Sequence, residues 1–305
     1  MERPYILHMF TPGAQASPFD VNMAADAGYG VIVPYCGVSL EQVAGLTQDA
    51  IFSRGPKGVA RTGIFIGGRD VMLAADMLER ARNAMVPPFV VSVFADPSGS
   101  YTTAAGLVAC TEAALRRHHG TTLDGKRVLM LGGTGTVGRI AAVLCAQLGA
   151  TVVLASHRDA ASARKAADET AARFGGTYAA ASSHGAAELQ AELARADVVM
   201  GVAAAGVQVM NLDARAHAKR MLVAADVNAV PPEGLAGVGV FDAATPIAGT
   251  NAVGIGALAI GDVKYKTQHR LLERMCSASQ PVSFSFADAL TVAREVMAEK
   301  VAGKA

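Results

Sequence analysis

The sequence predicts an α/β protein of two domains, and three observations carry that prediction. Short apolar runs rich in Val, Ile and Leu alternate with stretches of helical periodicity along most of the 305 residues. One run is broken by glycines at 132–138 and leads straight into a helical pattern. Two amphipathic stretches follow the last predicted strand, after about residue 265. Strands that alternate with helices argue for parallel sheets wound through right-handed crossovers.

In the first hundred residues YILHMF (5–10), VIVPY (31–35), GIFIG (63–67) and FVVSVFAD (89–96) read as strands, and 18–27, 39–46 and 70–84 as helices. Nothing later repeats this half closely, so 1–100 is expected to be a distinct α/β domain. SYTTAAGLVACTEAALRRHHG (100–120) reads as one long helix, making 101–121 the link to the second domain. KRVLML (126–131) is the next strand. Val137, Ile140, Ala141, Leu144 and Leu148 then recur at helical spacing until Gly149. TVVLAS (151–156), TYAAAS (177–182), DVVMGVAA (197–204) and MLVAADVN (221–228) read as strands, with helices over 160–174 and 186–195 between them. The C-terminal stretches YKTQHRLLERMC and SFADALTVAREVMAEK read as helices that pack most simply on the first domain. The expected domains are therefore 1–100 plus about 268–305, and 122–267.

Composition narrows the class. Hydrophobic residues make up 51% and charged residues 17%, which excludes intrinsic disorder. Lys and Arg number 27 against 26 Asp and Glu, so no global basic field favours nucleic acid. No apolar run reaches the roughly 20 residues of a membrane span, and the start lacks the pattern of a secretory signal. Cys36, Cys110, Cys145 and Cys276 are scattered without a CxxC pair, so neither zinc nor a disulfide framework is expected. The expectation is a soluble cytoplasmic protein without a metal site.

Gly133-Thr134-Gly135-Thr136-Val137-Gly138 fits GxGxxG between a buried strand and a helix. The first glycine permits the tight turn, the second lets a pyrophosphate approach the backbone, and the third lets the helix pack on the strand. The helix N-terminus then receives the diphosphate. No GK[ST] follows, so an ATP P-loop is excluded. The second domain is thus a Rossmann-type parallel-sheet domain. Its second strand ends in Ser156-His157-Arg158, where NAD-preferring sites place an acid. A hydroxyl and cations suit a 2′-phosphate, so NADP is favoured and NAD use stays open. Asp159 either weakens that phosphate site or faces away. Ala204, in a small apolar segment, and Asn228 lie at later strand ends, where a nicotinamide would sit; Asn228 reads equally as a turn residue before Pro231-Pro232.

Several further motifs occur in order: Ser17-Pro18-Phe19-Asp20, the run from Thr62 to Gly68, the run from Asp96 to Ala105, Asp226–Pro232, Gly254–Leu258 and Lys264-Tyr265-Lys266. Together with the glycine loop they give a chain that resembles the NAD(P)-dependent methylene-tetrahydromethanopterin dehydrogenases of methylotrophic bacteria, relatives of methylene-tetrahydrofolate dehydrogenases. The resemblance runs through most of the chain and implies that a methylene group bridging two pterin nitrogens loses hydride to NADP⁺ or NAD⁺. It implies a smaller α/β pterin domain completed by C-terminal helices, and a homo-oligomer for which the family suggests a trimer. Strict NADP users of the family carry two cations after the second strand, and His157-Arg158 here implies use of both cofactors.

Hydride loss from an N–CH₂–N carbon leaves a cation shared by both nitrogens and requires no proton transfer in that step. Few side chains are demanded beyond those that position the reactants. With the resemblance, Asp20 becomes the candidate acceptor for the pterin's amino-pyrimidinone edge, or else a helix N-cap. Asp96, Ser98, Ser100, Thr102 and Thr103 form a candidate substrate loop facing an interdomain cleft. Lys264 and Lys266 diverge on either a strand or a helix, so at most one enters the site; the resemblance favours Lys264 as the catalytic residue. A methylene-tetrahydrofolate dehydrogenase, a shikimate-type dehydrogenase and a non-catalytic NADP sensor are the competing readings. The shikimate type needs a Lys before an Asn-Thr-Asp loop, which this chain lacks.

Overall fold

The computed structural model describes residues 3–302, apart from the side chain of Pro56. The chain order is β1 (Ile6–Thr11), α1 (Pro18–Asp26), β2 (Val31–Cys36), α2 (Gln42–Phe52), α3 (Gly55–Val59), β3 (Thr62–Ile66), α4 (Val71–Ala84), β4 (Ser92–Ala95) and, after a 3-10 turn at Pro97–Gly99, α5 (Ser100–His119). It continues through β5 (Arg127–Leu131), α6 (Thr136–Gln147), β6 (Thr151–Ser156), α7 (Ala160–Phe174), β7 (Tyr178–Ser182), α8 (Ala186–Leu193), β8 (Val198–Gly201), α9 (Leu212–Arg215) and β9 (Val223–Asp226). The last elements are β10 (Ala243–Pro246), β11 (Val253–Ile255), α10 (Ala257–Ser277), β12 (Ser283–Phe284) and α11 (Phe286–Ala302). Each strand expected from the sequence is found.

Contacts divide the chain into two compact units, Met1–Thr102 with Tyr265–Val292, and Thr103–Lys264 with Ala293–Ala305. The first holds a five-stranded parallel sheet in the order β12-β4-β3-β1-β2. β3 and β4 are buried along their whole length, as inner parallel strands are. Gly63 of β3 has a packing reason: a Cβ there would lie 2.6 Å from the Tyr29 hydroxyl and 3.1 Å from Met275 Cε.

The second unit holds a seven-stranded sheet, β10-β11-β9-β8-β5-β6-β7, parallel except at the β10–β11 pair. Leu129, Leu131, Val153, Val199 and Ala224 from its central strands join Met210, Met221 and Leu235 in one core cluster. Here the alternation of apolar runs and helices is the sheet itself.

Three features depart from the sequence expectation. The helix expected at 39–46 starts at Gln42 and runs to Phe52. Ser39 N–H instead donates to Gln42 Oε1 in a turn, while Val43, Thr47, Ala50 and Ile51 continue the buried stripe beyond Gly45. β4 and β8 are shorter than the apolar runs that announced them, α3, α9, β10, β11 and β12 carried no signal, and α10 begins at Ala257, ahead of the helix expected after about residue 265. The domain boundaries also fall differently: α5 divides after Thr102 and α11 after Val292. The end of α11 is held within the second unit, where Arg294 bonds buried Glu112 through two nitrogens at 2.8 and 2.9 Å and Lys300 meets Asp262 at 2.7 Å.

Candidate functional site

In the second unit β5 ends at Leu131 and the chain turns through Gly132, with φ +81°, into α6. A Cβ on Gly132 would lie 2.7 Å from the Ala203 backbone, so this glycine lets the loop lie against the end of β8. A Cβ on Gly138 would lie 2.7 Å from Gly133 Cα, which is the close helix-to-loop packing the third glycine permits. Gly135 differs: its nearest neighbour would be Gly132 O at 3.5 Å. Internal packing does not require a glycine there, whereas an approaching pyrophosphate does. Gly135 N-caps α6 without a side-chain cap bond, and the first intrahelical donor is Arg139 N–H, onto Gly135 O. The N–H groups of Thr136, Val137 and Gly138 therefore precede the intrahelical ladder at the positive end of the helix, and the residues fit a dinucleotide diphosphate. Arg139 ties the loop down, with Nε on Thr134 O at 3.0 Å and its guanidinium 2.9 Å from Glu169.

At the end of β6 Ser156 is buried and its hydroxyl accepts from Arg158 N–H at 3.2 Å. His157 and Arg158 are exposed. Asp159 caps α7, accepting from Ser162 N–H at 2.6 Å, and that bond holds its carboxyl below the usual range. Its carboxylate is thus turned to the helix. Asn228 is a staple: Oδ1 accepts from Gly206 and Val230 N–H, both at 3.0 Å, and Nδ2 donates to Pro232 O at 2.7 Å. The turn reading of Asn228 holds in geometry, and the staple also draws in the loop that carries exposed Ala204.

Beneath this staple is a residue that sequence reasoning passed over. Asp226 is buried and accepts from Asn228 N–H and Leu235 N–H, each at 3.0 Å. Burial pushes its carboxyl pKa up, against the pull of these bonds. Gly201 and Gly234 make room for it, since a Cβ on either would lie within 3.0 Å of Oδ1. A lone carboxylate ending the buried run MLVAAD was the available signal.

In the first unit the loops after β1, β3 and β4 are linked. Gly67 N–H donates to Phe10 O, Asp96 N–H to Ile66 O, and the Ser98 hydroxyl to Gly68 O at 2.9 Å. Ser98 sits at φ +51°, a left-handed conformation that exposes it at the loop tip. Asp96 is fully buried and spends its carboxylate on the loop. Oδ1 accepts from Tyr101 and Thr102 N–H at 2.9 and 3.1 Å, and Oδ2 from the Thr102 hydroxyl at 2.6 Å. Ser100 and Thr102 are buried, and Thr103 is half-buried. Asp96 therefore shapes the loop, and Ser98 is its exposed hydroxyl.

Asp20 is not an N-cap. It lies in the first turn of α1, behind Ser17 and Pro18, buried to 4% exposure, and Oδ1 accepts from Gln268 Nε2 at 2.7 Å. Gln268, also fully buried, interrupts the apolar stripe of Val263, Leu271, Leu272 and Met275, and that interruption was its signal. Lys264 and Lys266 are both half-buried in α10 and, two residues apart on a helix, diverge by about 200°. A Cβ on Gly106 of α5 would lie 3.3 Å from Lys264 N, so a glycine sits where the two helices approach at Lys264. The second unit also has a cavity of about 710 Å³ lined by α5, α11 and the β10–β11 edge, and no candidate residue lines it.

Among known proteins, the chain is 46% identical over 291 residues to the NAD(P)-dependent methylenetetrahydromethanopterin dehydrogenase of Methylorubrum extorquens, covering 95% of this chain and 98% of that one. The chain belongs to the NAD(P)-dependent methylene-tetrahydromethanopterin dehydrogenase family. The family profile described as methylene-tetrahydromethanopterin dehydrogenase, N-terminal, matches residues 18–98 of this member. A second profile, glutamate/leucine/phenylalanine/valine dehydrogenase, matches 99–165, which include the glycine loop and β6. The bifunctional protein MdtA of the same organism is 32% identical over 277 residues, 91% of this chain and 94% of its own. In fold, shikimate 5-dehydrogenase from Listeria monocytogenes is similar at 10% identity, with a TM-score of 0.51 and 96% of each chain covered. Among the described residues of this dehydrogenase no cluster of His, Cys, Asp and Glu could hold a metal ion, and no helix is long and apolar enough to cross a membrane.

Proposed function

We propose that this protein oxidises 5,10-methylene-tetrahydromethanopterin to its methenyl form by reversible hydride transfer to NADP⁺, with NAD⁺ also accepted. The observation that carries this reading is the 46% identity to a dehydrogenase of that name along nearly the whole chain. The glycine cradle supports the cofactor half.

The oxidised nicotinamide, when bound, supplies the hydride acceptor. The chain's own residues have four tasks. Gly133, Gly135, Gly138 and the N–H groups of Thr136 and Val137, with Thr134, receive the diphosphate. Ser156, His157 and Arg158 hold the ribose end, and a 2′-phosphate adds charge for Arg158 to meet. Asn228, fixed from below by Asp226, orders the loop carrying Ala204 on the nicotinamide side. On the pterin side stand Ser98 on a loop braced by Asp96, Ser100 and Thr102, with Thr103 next in sequence, and the Asp20–Gln268 pair. Asp20 fixes the Gln268 amide, and Lys264 precedes Gln268 by four residues in α10. Lys264 orients the pterin carbonyl, and Lys266, pointing elsewhere, is the lesser candidate.

The test is the initial rate of NADPH formation from methylene-tetrahydromethanopterin and NADP⁺, with methylene-tetrahydrofolate and NAD⁺ as controls. A rate with the methanopterin is expected, reduced at least a hundredfold in Lys264→Ala. Protein that binds NADPH yet turns over neither pterin would discard the substrate. The same reading carries a cytoplasmic homo-oligomer with no nucleic-acid or membrane partner. Light scattering on the eluting protein checks it, and a monomer at micromolar concentration would refute it.

A further inference from the structure

One histidine outside the expected cofactor residues lies within reach of the Ser156–Arg158 turn. His184, exposed between β7 and α8, places Nδ1 2.8 Å from the His157 carbonyl oxygen. A carbonyl can only accept, so Nδ1 is the donor and Nε2 is the nitrogen that carries the second proton of a cationic ring. The two turns are fastened together: Ser156 pairs with Ser182 in the parallel β6–β7 register, and Ser183 N–H donates to Ser156 O at 2.8 Å. Both turns carry charged groups. From the β6–α7 turn come His157, Arg158 and Asp159, the last engaged in capping α7. From the β7–α8 side comes Glu188, whose carboxylate accepts from Gly185 N–H at 3.4 Å and is held low first by Ser182, with His184 also contributing.

We propose that His184 is a specificity-determining residue, its protonated Nε2 giving the cofactor's 2′-phosphate a second cation beside Arg158. His157 contributes its carbonyl to this arrangement and serves as the anchor of the His184 ring. Preference for NADP over NAD then rests in part on the second proton of the His184 ring. The inference rests on the reading that the Ser156–Arg158 turn receives the 2′-phosphate. The phosphate itself gains charge above about pH 6, so variants are compared at equal pH.

The experiment is a titration of the full-length protein with NADPH and with NADH, read by fluorescence of the bound reduced nicotinamide, at pH 6.0 and 8.5. His184→Asn keeps an amide N–H for the His157 carbonyl and removes the titrating nitrogen. It is expected to weaken NADPH binding about tenfold at pH 6.0, with little change at pH 8.5 and none for NADH at either pH. Wild-type NADPH affinity in His184→Asn at pH 6.0 would overturn the proposal, as would an equal loss of NADH affinity in that variant. Arg158→Ala separates the two readings: an unchanged ratio of NADPH to NADH affinity there would remove the 2′-phosphate from this turn altogether.

Discussion

At the scale of single residues, Asp226 and His8 show how burial decides what a charge does. Removing the Asp226 carboxylate leaves the Asn228 and Leu235 N–H groups buried without an acceptor. Asp226→Ala is therefore expected to cost about 1–3 kcal/mol in a denaturant melt and to weaken NADPH binding, because the Asn228 staple loses its footing. His8, half-buried on β1, has Nδ1 3.1 Å from the Tyr35 hydroxyl, and burial followed by the nearby Arg54 charge holds its pKa below 6.5. A base whose folded value is depressed favours the native state above its unfolded value, and that advantage is lost as pH falls from about 6.5 toward the folded value. Thermal melts between pH 7.5 and 5 should show a shallower acid loss in His8→Asn than in wild type. Identical pH profiles would mean that His8 is solvated in the native protein.

At the scale of elements, the glycine loop separates packing from ligand binding. Gly138→Ala forces a methyl against the Gly133 backbone, so both stability, by about 1–3 kcal/mol, and NADPH affinity should fall. Gly135→Ala meets no protein atom closer than 3.5 Å. Its stability loss should stay under about 1 kcal/mol, as at an N-cap, while NADPH binding falls at least tenfold. Equal affinity in Gly135→Ala and wild type would remove the diphosphate from this turn. These elements were legible in the sequence because the constraint is local: a turn, a helix start and a strand fit within a dozen residues. The inner strands were legible for a related reason, since burial on both faces leaves an unbroken apolar run. β10 and β11 were not, because AATP and VGI are too short and too rich in Gly, Pro and Ala to carry a period, and β11 is fixed by its pairing with β9. Asp20 was singled out while its partner Gln268, 248 residues away, was not. No local pattern announces a hydrogen bond of that span.

At the scale of the whole molecule, neither compact unit is a continuous stretch of chain. A polypeptide ending at Thr102 would contain β1 to β4 yet lack β12, which pairs with β4, and Gln268, which pairs with Asp20. It should show no cooperative thermal transition by circular dichroism, and a sharp transition would mean that these late residues are dispensable to the first unit. β12 has only two residues, and among the described residues it is the one strand of its sheet supplied from the far end of the chain. Its Phe284 packs edge-on against Phe94. On the ribosome this ordering becomes a matter of timing. At roughly 5–20 residues per second, β4 is made on the order of ten seconds or more before β12, and through that interval its outer edge has no strand to pair with. The growing chain thus carries an apolar strand edge open to other nascent chains until β12 emerges, near the end of synthesis.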